Sequence, residues 1–256
     1  MTESPVTIVT GSSRGIGRSA AELLASRGHR IVVSSRNQDS CEQVAAGIRD
    51  AGGQAVAIAC HVGHEEQLAG LIEKTVEAFG QLNHLVLNAA SNPVYGPSEH
   101  VDRQAFDVIM HNNVFSGMRL SHLARAHLAE QTRLSSHSSV VFVSSIAGLL
   151  GNTVIGAYGV SKAAENQLVR NLALEFGGDG IRVNGVAPGL IRTDFSKALL
   201  ADERAVKHFE NTTPLGRIGE PEDIARVIAF LTGPDSAWLS GQVLTADGGI
   251  TVTGGF

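Results

Sequence analysis

The sequence predicts an α/β fold: one doubly wound sheet of about seven parallel strands, with helices on both faces. Three observations carry this. Short runs such as "VTIVT" and "SVVFVSS" are apolar throughout rather than alternating, as strands covered on both sides are. Longer amphipathic segments separate them, the spacing of strand–helix–strand crossovers. A glycine-rich turn, "TGSSRGIG" at 10–17, follows the first run directly and opens a helix.

Taken in order, 6–10 reads as a strand, 14–27 as a helix and 30–35 as a strand. A helix near 38–51 leads to a strand at 54–60, and a helix at 65–79 to a strand at 84–89. Residues 101–131 read as one long helix, 139–145 as a strand, 156–177 as a helix and 181–187 as a strand. Shorter helices near 195–211 and 221–233 precede a last strand at 242–246. In "GEPED" at 219–223 the proline suits a first helical turn and the acids its positive end. No linker or repeat divides the chain, so residues 1–256 are expected to form a single domain. The stretch at about 189–220 reads as an insertion, the best place for a substrate lid.

A chain of 256 residues can bury a large core without staples. Its net charge of −5, with the signs interspersed, argues against a nucleic-acid partner. Two cysteines, Cys41 and Cys60, lack metal-like spacing and suggest a reducing compartment. No 18-residue apolar stretch predicts a membrane span. With no basic-then-apolar N-terminus, the expected setting is cytoplasmic. The ten histidines show no zinc spacing, so no metal is expected.

The glycines of the first turn, Gly11, Gly15 and Gly17, let the backbone approach a phosphate at a positive helix end. The end of the second strand tests whether that phosphate belongs to a dinucleotide. An NAD site often places Asp or Glu there, on the ribose 2′-hydroxyl. This chain has Ser34, Ser35 and Arg36 instead, with Arg14 in the glycine turn. Two guanidiniums without a carboxylate suit a 2′-phosphate, which favours NADP(H) over NAD(H). Otherwise Arg36 is a solvated helix-flanking residue, and Ser35 leaves the choice of cofactor open.

In "AYGVSK" at 157–162 a tyrosine precedes a lysine by four residues. On a helix the two share one face, and a nearby cation lowers a phenol's pKa. The spacing either builds a proton donor usable near neutrality or makes a surface pair.

These stretches, with "NAA" at 88–90, Asn113 in "MHNNV", Ser145 in "VSSIAG", "RVNGVAPGLIRT" at 182–193 and "DGG" at 247–249, resemble the short-chain dehydrogenase/reductase family in order and spacing. The likeness runs from about residue 5 to 250. It implies a Rossmann-type fold, a homotetramer or homodimer, and hydride transfer between a nicotinamide and a carbonyl or alcohol carbon. Ser145, thirteen residues before Tyr158, is then expected to hydrogen-bond the substrate oxygen. Tyr158 is expected to exchange a proton with it, and Lys162 to lower the tyrosine's pKa and hold the ribose hydroxyls. Asn113 is expected to anchor a water linking Lys162 to solvent. The resemblance also assigns cofactor contacts to Gly11, Ser13, Arg14, Gly15, Ile16, Gly17, Ser35, Arg36, His61, Val62, Asn88, Ala89, Pro188, Gly189, Ile191 and Thr193. Such an active site has a physical rationale of its own: an alkoxide develops on the substrate oxygen, and a donor must already face it.

The chain departs from the family where Leu87-Asn88-Ala89-Ala90 stands for Asn-Asn-Ala-Gly, and His61-Val62 for a common Asp-Val. An imidazole accepts through one nitrogen only, which puts the adenine contact in question. His84 also replaces a frequent Asp. "IVVSSR", "CHVG", "NAASNP", "GLIRTDFSK" and "GEPEDIA" resemble NADPH-dependent carbonyl and retinal reductases of the peroxisomal type and their bacterial relatives. The terminal "TGGF" is not a peroxisomal address.

The expected activity is therefore NADP(H)-dependent oxidoreduction of a ketone, aldehyde or secondary alcohol. A 3-oxoacyl-thioester reductase is the near alternative, with Arg119, Arg125 and Arg133 either greeting a carrier protein or forming a solvated helix face. A non-catalytic NADP(H) sensor is the alternative of another class. Phe195, Leu199, Leu200 and Phe209 either line a substrate pocket or seat the lid, and Trp238 is expected near a subunit contact.

Overall fold

A computed structural model describes residues 4–134 and 137–253. Met1–Glu3, and the Gly254–Phe256 of the terminal tetrapeptide, lie outside the described residues. Strands β1 (Val6–Thr10), β2 (Arg30–Ser34), β3 (Gln54–Ala57), β4 (His84–Leu87), β5 (Ser139–Val143), β6 (Arg182–Pro188) and β7 (Val243–Ala246) form one sheet. Its order is β3-β2-β1-β4-β5-β6-β7, with every neighbouring pair parallel. The chain winds outward from β1 in one direction and from β4 in the other, and the crevice beyond the carboxyl ends of such a switch point is where open α/β sheets bind ligands.

Crossovers run through α1 (Gly15–Ser26), α2 (Gln38–Asp50), α3 (Glu65–Phe79), α4 (Arg103–Met110), α5 (Ser116–Arg133) and α6 (Gly156–Gly177). Beyond β6 come α7 (Lys197–Leu200), α8 (Glu203–Thr212) and α9 (Pro221–Thr232). Successive strand residues face opposite layers. Ile8, Val32, Leu85, Phe142 and Val183 pack with Leu71 of α3, Leu120 of α5 and Phe176 of α6. Val9, Ile31, Val33, Val86, Val141 and Val186 pack with Leu24 of α1, Val44 of α2 and Ile228 of α9. Neither face of a central strand meets water, which is why the strands read as continuous apolar runs. Each large aliphatic side chain so buried contributes roughly 1.5–3 kcal/mol.

Helix starts follow the polar residues before them. Asn37 Oδ1 accepts from Ser40 N at 2.7 Å, and Asp102 Oδ1 from Ala105 N at 2.7 Å. As expected for "GEPED", Pro221 lies in the first turn of α9, and Glu220 and Asp223 form a capping box there.

Two expected helices are corrected. The stretch read as one helix over 101–131 is interrupted by a π turn at His111–Phe115 between α4 and α5. The helix expected near 195–211 is a 3₁₀ turn at Asp194–Ser196, then α7, then α8. Asp202, which caps Arg204 N at 2.9 Å, starts the last piece afresh. The ladder of β4 stops at Leu87 rather than Ala89, because the amides of Asn88 and Ala89 both turn to Thr10 Oγ1, at 3.0 and 3.1 Å.

Candidate active site

All the sequence-predicted segments end at the carboxyl edge of the sheet. After β1, Gly11 and Gly15 adopt φ of +64° and +56°, the left-handed region that disfavours a side chain. Asn88 Nδ2, at the end of β4, donates to Thr10 O and Gly11 O, both at 3.0 Å. A Cβ on Gly17 would lie 2.5 Å from both Asn88 Nδ2 and Gly11 O. The first turn of α1 therefore rests directly on this backbone, with no acidic residue in it. Ser13, Gly15 and Ile16 are half-buried around the turn. A cradle that a methyl group would fill, at the positive end of a helix, fits a dinucleotide's pyrophosphate.

After β2, Ser35 Oγ lies 3.1 Å from Cys41 Sγ, while Arg36 is exposed. Arg14 is also exposed and meets Asp194 at 3.4 Å, a surface pair of little strength. After β3, His61 Nδ1 accepts from Gly63 N at 3.0 Å. Burial, then His64 and Arg36, hold its pKa below the usual value. The neutral ring thus carries its proton on Nε2 and offers a donor there, where the family's Asp offers an acceptor. Val62 is half-buried against the core.

Tyr158 and Lys162 lie on the first turns of α6, both buried, with Lys162 Nζ 5.4 Å from the centre of the phenol ring. Ser145 follows β5, near enough to Tyr158 to act on its phenol and favour the phenolate. The Ser145 hydroxyl accepts from Ala147 N at 3.1 Å. The 3₁₀ turn at Ile146–Gly148 seats Ser145 on α6 through two close approaches. A Cβ on Gly148 would lie 2.6 Å from the Lys162 carbonyl carbon, and one on Gly159 2.7 Å from Ala147 O.

Burial drives the Tyr158 phenol above its ordinary pKa; Lys162 opposes this, Glu165 adds to it, Ser145 opposes it, and Tyr95 adds to it. The expected lowering by Lys162 is present, but desolvation outweighs it. Lys162 Nζ donates to Val143 O at 3.0 Å and to both Glu165 carboxylate oxygens at 2.9 Å. Burial works against its charge, and Glu165 and Tyr158 more than reverse that, so its pKa is raised. Burial pushes Glu165 itself up to about 7, with Lys162 pulling the other way.

Asn113, buried in the π turn, binds Ser91 in both directions: its Oδ1 accepts from Ser91 N at 2.8 Å and its Nδ2 donates to Ser91 O at 3.1 Å. Nδ2 also donates to Ser161 Oγ at 2.9 Å. The side chain so ties the strand-β4 loop to α6.

On the far wall, Pro188 ends β6, and Gly189 passes so close to Asp247 that a Cβ would lie 2.9 Å from its Cα. Ile191 is buried and bridges to Gly219. Thr193 approaches the glycine turn, its Cγ2 3.2 Å from where a Gly15 Cβ would stand. Phe195 sets its ring 5.6 Å from that of Tyr158.

Thus the site residues named from the sequence gather at one edge. Sequence reasoning did not single out Ser91, Ser161 or Glu165. Only Glu165 left a signal, a carboxylate three residues after the lysine on the same helix face. Arg119 pairs with Glu65 at 3.2 Å and Arg125 with Asp179 at 2.7 Å. Trp238 is fully exposed in the chain. His84 is buried and bonds Ser139 Oγ at 3.0 Å, at the opposite edge of the sheet. No cluster of three or more metal-ligating side chains occurs among the described residues, and no helix is long and apolar enough to cross a membrane.

A tight glycine cradle at the switch point of a doubly wound sheet, with Ser145, Tyr158 and Lys162 beside it, is the arrangement of a dinucleotide-dependent oxidoreductase class. A family model described as Enoyl-(Acyl carrier protein) reductase matches residues 11–251. "Tropinone reductase homolog At5g06060" of Arabidopsis thaliana is 39% identical over 251 residues, covering 96% of this chain and 92% of the relative. "7alpha-hydroxysteroid dehydrogenase" of Escherichia coli (strain K12) is 36% identical over 245 residues, covering 94% and 92%. A solved short-chain type dehydrogenase/reductase from Mycobacterium ulcerans superposes with a TM-score of 0.91 at 29% identity, covering 98% of this chain and 92% of that one. The chain belongs to the short-chain dehydrogenase/reductase family.

Proposed function

We propose that the protein is an NADP(H)-dependent oxidoreductase acting on a carbonyl or secondary alcohol substrate, with Tyr158 as the acid/base. The observation that carries this is the buried Tyr158 phenol with the Lys162 ammonium 5.4 Å from its ring centre and Ser145 acting on its pKa, beside a cradle fitted to a dinucleotide. The turn from Gly11 to Gly17 would hold the pyrophosphate, Asn88 and Ala89 the adenosine side, and Pro188, Gly189, Ile191 and Thr193 the nicotinamide side. The nicotinamide, when bound, supplies or takes up the hydride.

In reduction, Ser145 orients the substrate oxygen and Tyr158 gives it the phenolic proton as negative charge develops there. In oxidation the phenolate takes that proton back. Lys162 supports the phenolate by its charge. The same protein chain is read as one catalytic domain, with 189–220 as a lid whose Phe195 approaches the phenol. NADP(H) is preferred in this reading because β2 is followed by Ser35 and the exposed Arg36, with Arg14 in the glycine turn and no carboxylate at that strand end. The internal pairing of Arg119 and Arg125 favours a small substrate over a carrier-bound acyl thioester. A homotetramer or homodimer in the cytoplasm fits the family, and the exposure of Leu174 and Trp238 suits subunit contacts.

The test is consumption of NADPH against NADH by the pure protein, over ketones, diketones, retinoid aldehydes and acetoacetyl thioesters. Turnover with NADPH that Tyr158→Phe abolishes is the expected result. Faster turnover with NADH would overturn the assignment of Arg14 and Arg36. Tight NADPH binding without turnover across the panel would favour the sensor.

A further inference from the structure

Glu165 is buried, 3% exposed, one turn beyond Lys162 and two turns beyond Tyr158 on α6. An ammonium has three protons and no acceptor. Those of Lys162 have three acceptors within the chain: Val143 O and the two Glu165 oxygens. A ribose hydroxyl can accept from this lysine only by displacing one of them. The Glu165 carboxylate also neutralises the charge that Tyr158 feels, since its effect on the phenol is opposite to that of Lys162.

Building on the reading of Tyr158 and Lys162 as an acid/base pair, we infer that Glu165 is a positioning residue that holds Lys162 back from the dinucleotide, so that cofactor binding must open the Lys162–Glu165 pair. Two properties follow. The pair sets the affinity for the cofactor, because opening a desolvated ion pair opposes binding. It also makes binding proton-linked. The charged group that acts on Glu165 is Lys162. Tyr158 couples to both, and Tyr95 acts on Tyr158. From β5 the neighbouring group is the neutral Val143 carbonyl. Protonating Glu165 frees the lysine without exposing an unpaired carboxylate.

Calorimetric titration of the wild-type protein with NADPH and with NADH, from pH 8.5 to pH 6, tests this without any substitution. Both dinucleotides are expected to bind several-fold tighter as pH falls through about 7, the range to which burial raises Glu165. A trend shared by both separates it from titration of the 2′-phosphate, which only NADPH carries. Glu165→Gln is expected to bind tighter than wild type at pH 8 and to lose the pH trend. It should also move the lower limb of the alcohol-oxidation pH profile down by about one unit, because the lysine's charge acts on Tyr158 unopposed. Glu165→Asp, which keeps the charge, is expected to retain the trend. Binding by wild type that is flat with pH, or weaker in Glu165→Gln, would overturn the inference while leaving the proposed activity standing. A wild-type protein that binds neither dinucleotide would remove both.

Discussion

Asn113 Nδ2 donates to the Ser161 hydroxyl at 2.9 Å, and that hydroxyl donates in turn to the Tyr158 carbonyl at 2.7 Å. The π turn exists where this contact is made. An extra residue in the helical turn is a common device at functional sites. Here it accompanies an amide that reaches both Ser91 and α6. Asn113→Ala should therefore lower kcat about tenfold or more through misplacement of Tyr158, with a stability loss of about 1–3 kcal/mol from unpaired buried groups. Steady-state kinetics and urea unfolding of the same preparation measure the two effects. Unchanged kcat would show that α6 needs no such tie.

The contact of Gly17 with Gly11 O and Asn88 Nδ2 leaves no room for a methyl group. Gly17→Ala should weaken NADPH binding at least tenfold and cost roughly 1–3 kcal/mol as α1 lifts from the turn. Equilibrium binding and a denaturant midpoint give the answer; wild-type affinity would mean that the cradle adjusts freely.

His29 and His84 sit at the other edge of the sheet, ring centres 5.4 Å apart. Burial, then Arg27, lowers His29 to about 4, and burial, then His29, Arg182 and His137, takes His84 well below its usual range. The unfolded chain takes up these protons near pH 6.5, whereas folded His29 does so only near 4. Stability should therefore be full above pH 6.5 and fall as pH drops towards 4, by up to about 3 kcal/mol for His29. Urea midpoints at pH 7, 6, 5 and 4.5 should fall less steeply in His29→Gln than in wild type. Parallel curves would contradict the assignment.

Arg182 is a buried guanidinium at the end of α9. Nη1 donates to Leu231 O and Ser236 Oγ, both at 2.8 Å, and Nη2 to Gly233 O at 3.2 Å. It satisfies carbonyls that the last helical turn leaves open. Arg182→Ala should cost about 3 kcal/mol. Arg182→Lys should recover little of it, since one ammonium cannot reproduce the fork. Chemical denaturation of both variants at pH 7 decides this; full recovery by lysine would reduce the role to charge.

The sheet was legible because its strands are buried on both faces, so hydrophobicity and strand position coincide in Val6–Thr10 and Ser139–Val143. Helix continuity was less legible. Nothing in "VIMHNNVFSG" distinguishes a π turn from an α turn, because the difference arises from Asn113 meeting Ser91 and Ser161 across the fold. The glycine turn could be placed from its position after the first strand, and the Ser145, Tyr158 and Lys162 set from the resemblance to the family, since the Tyr–Lys spacing alone also allowed a surface pair. The net effect on Tyr158 could not be read, because it depends on burial and on Glu165. His61 shows the same limit, since the nitrogen left for a ligand is decided by Gly63 N.

The packing of α1 against α9 has a consequence for biosynthesis. Ala20, Ala21 and Leu24 are among the first core residues to leave the ribosome, yet their partners Ile224, Ala225 and Ile228 are among the last. The nascent chain carries an uncovered apolar face on α1 until α9 has been made. A chain that stops before α9 leaves that face uncovered and exposed to aggregation.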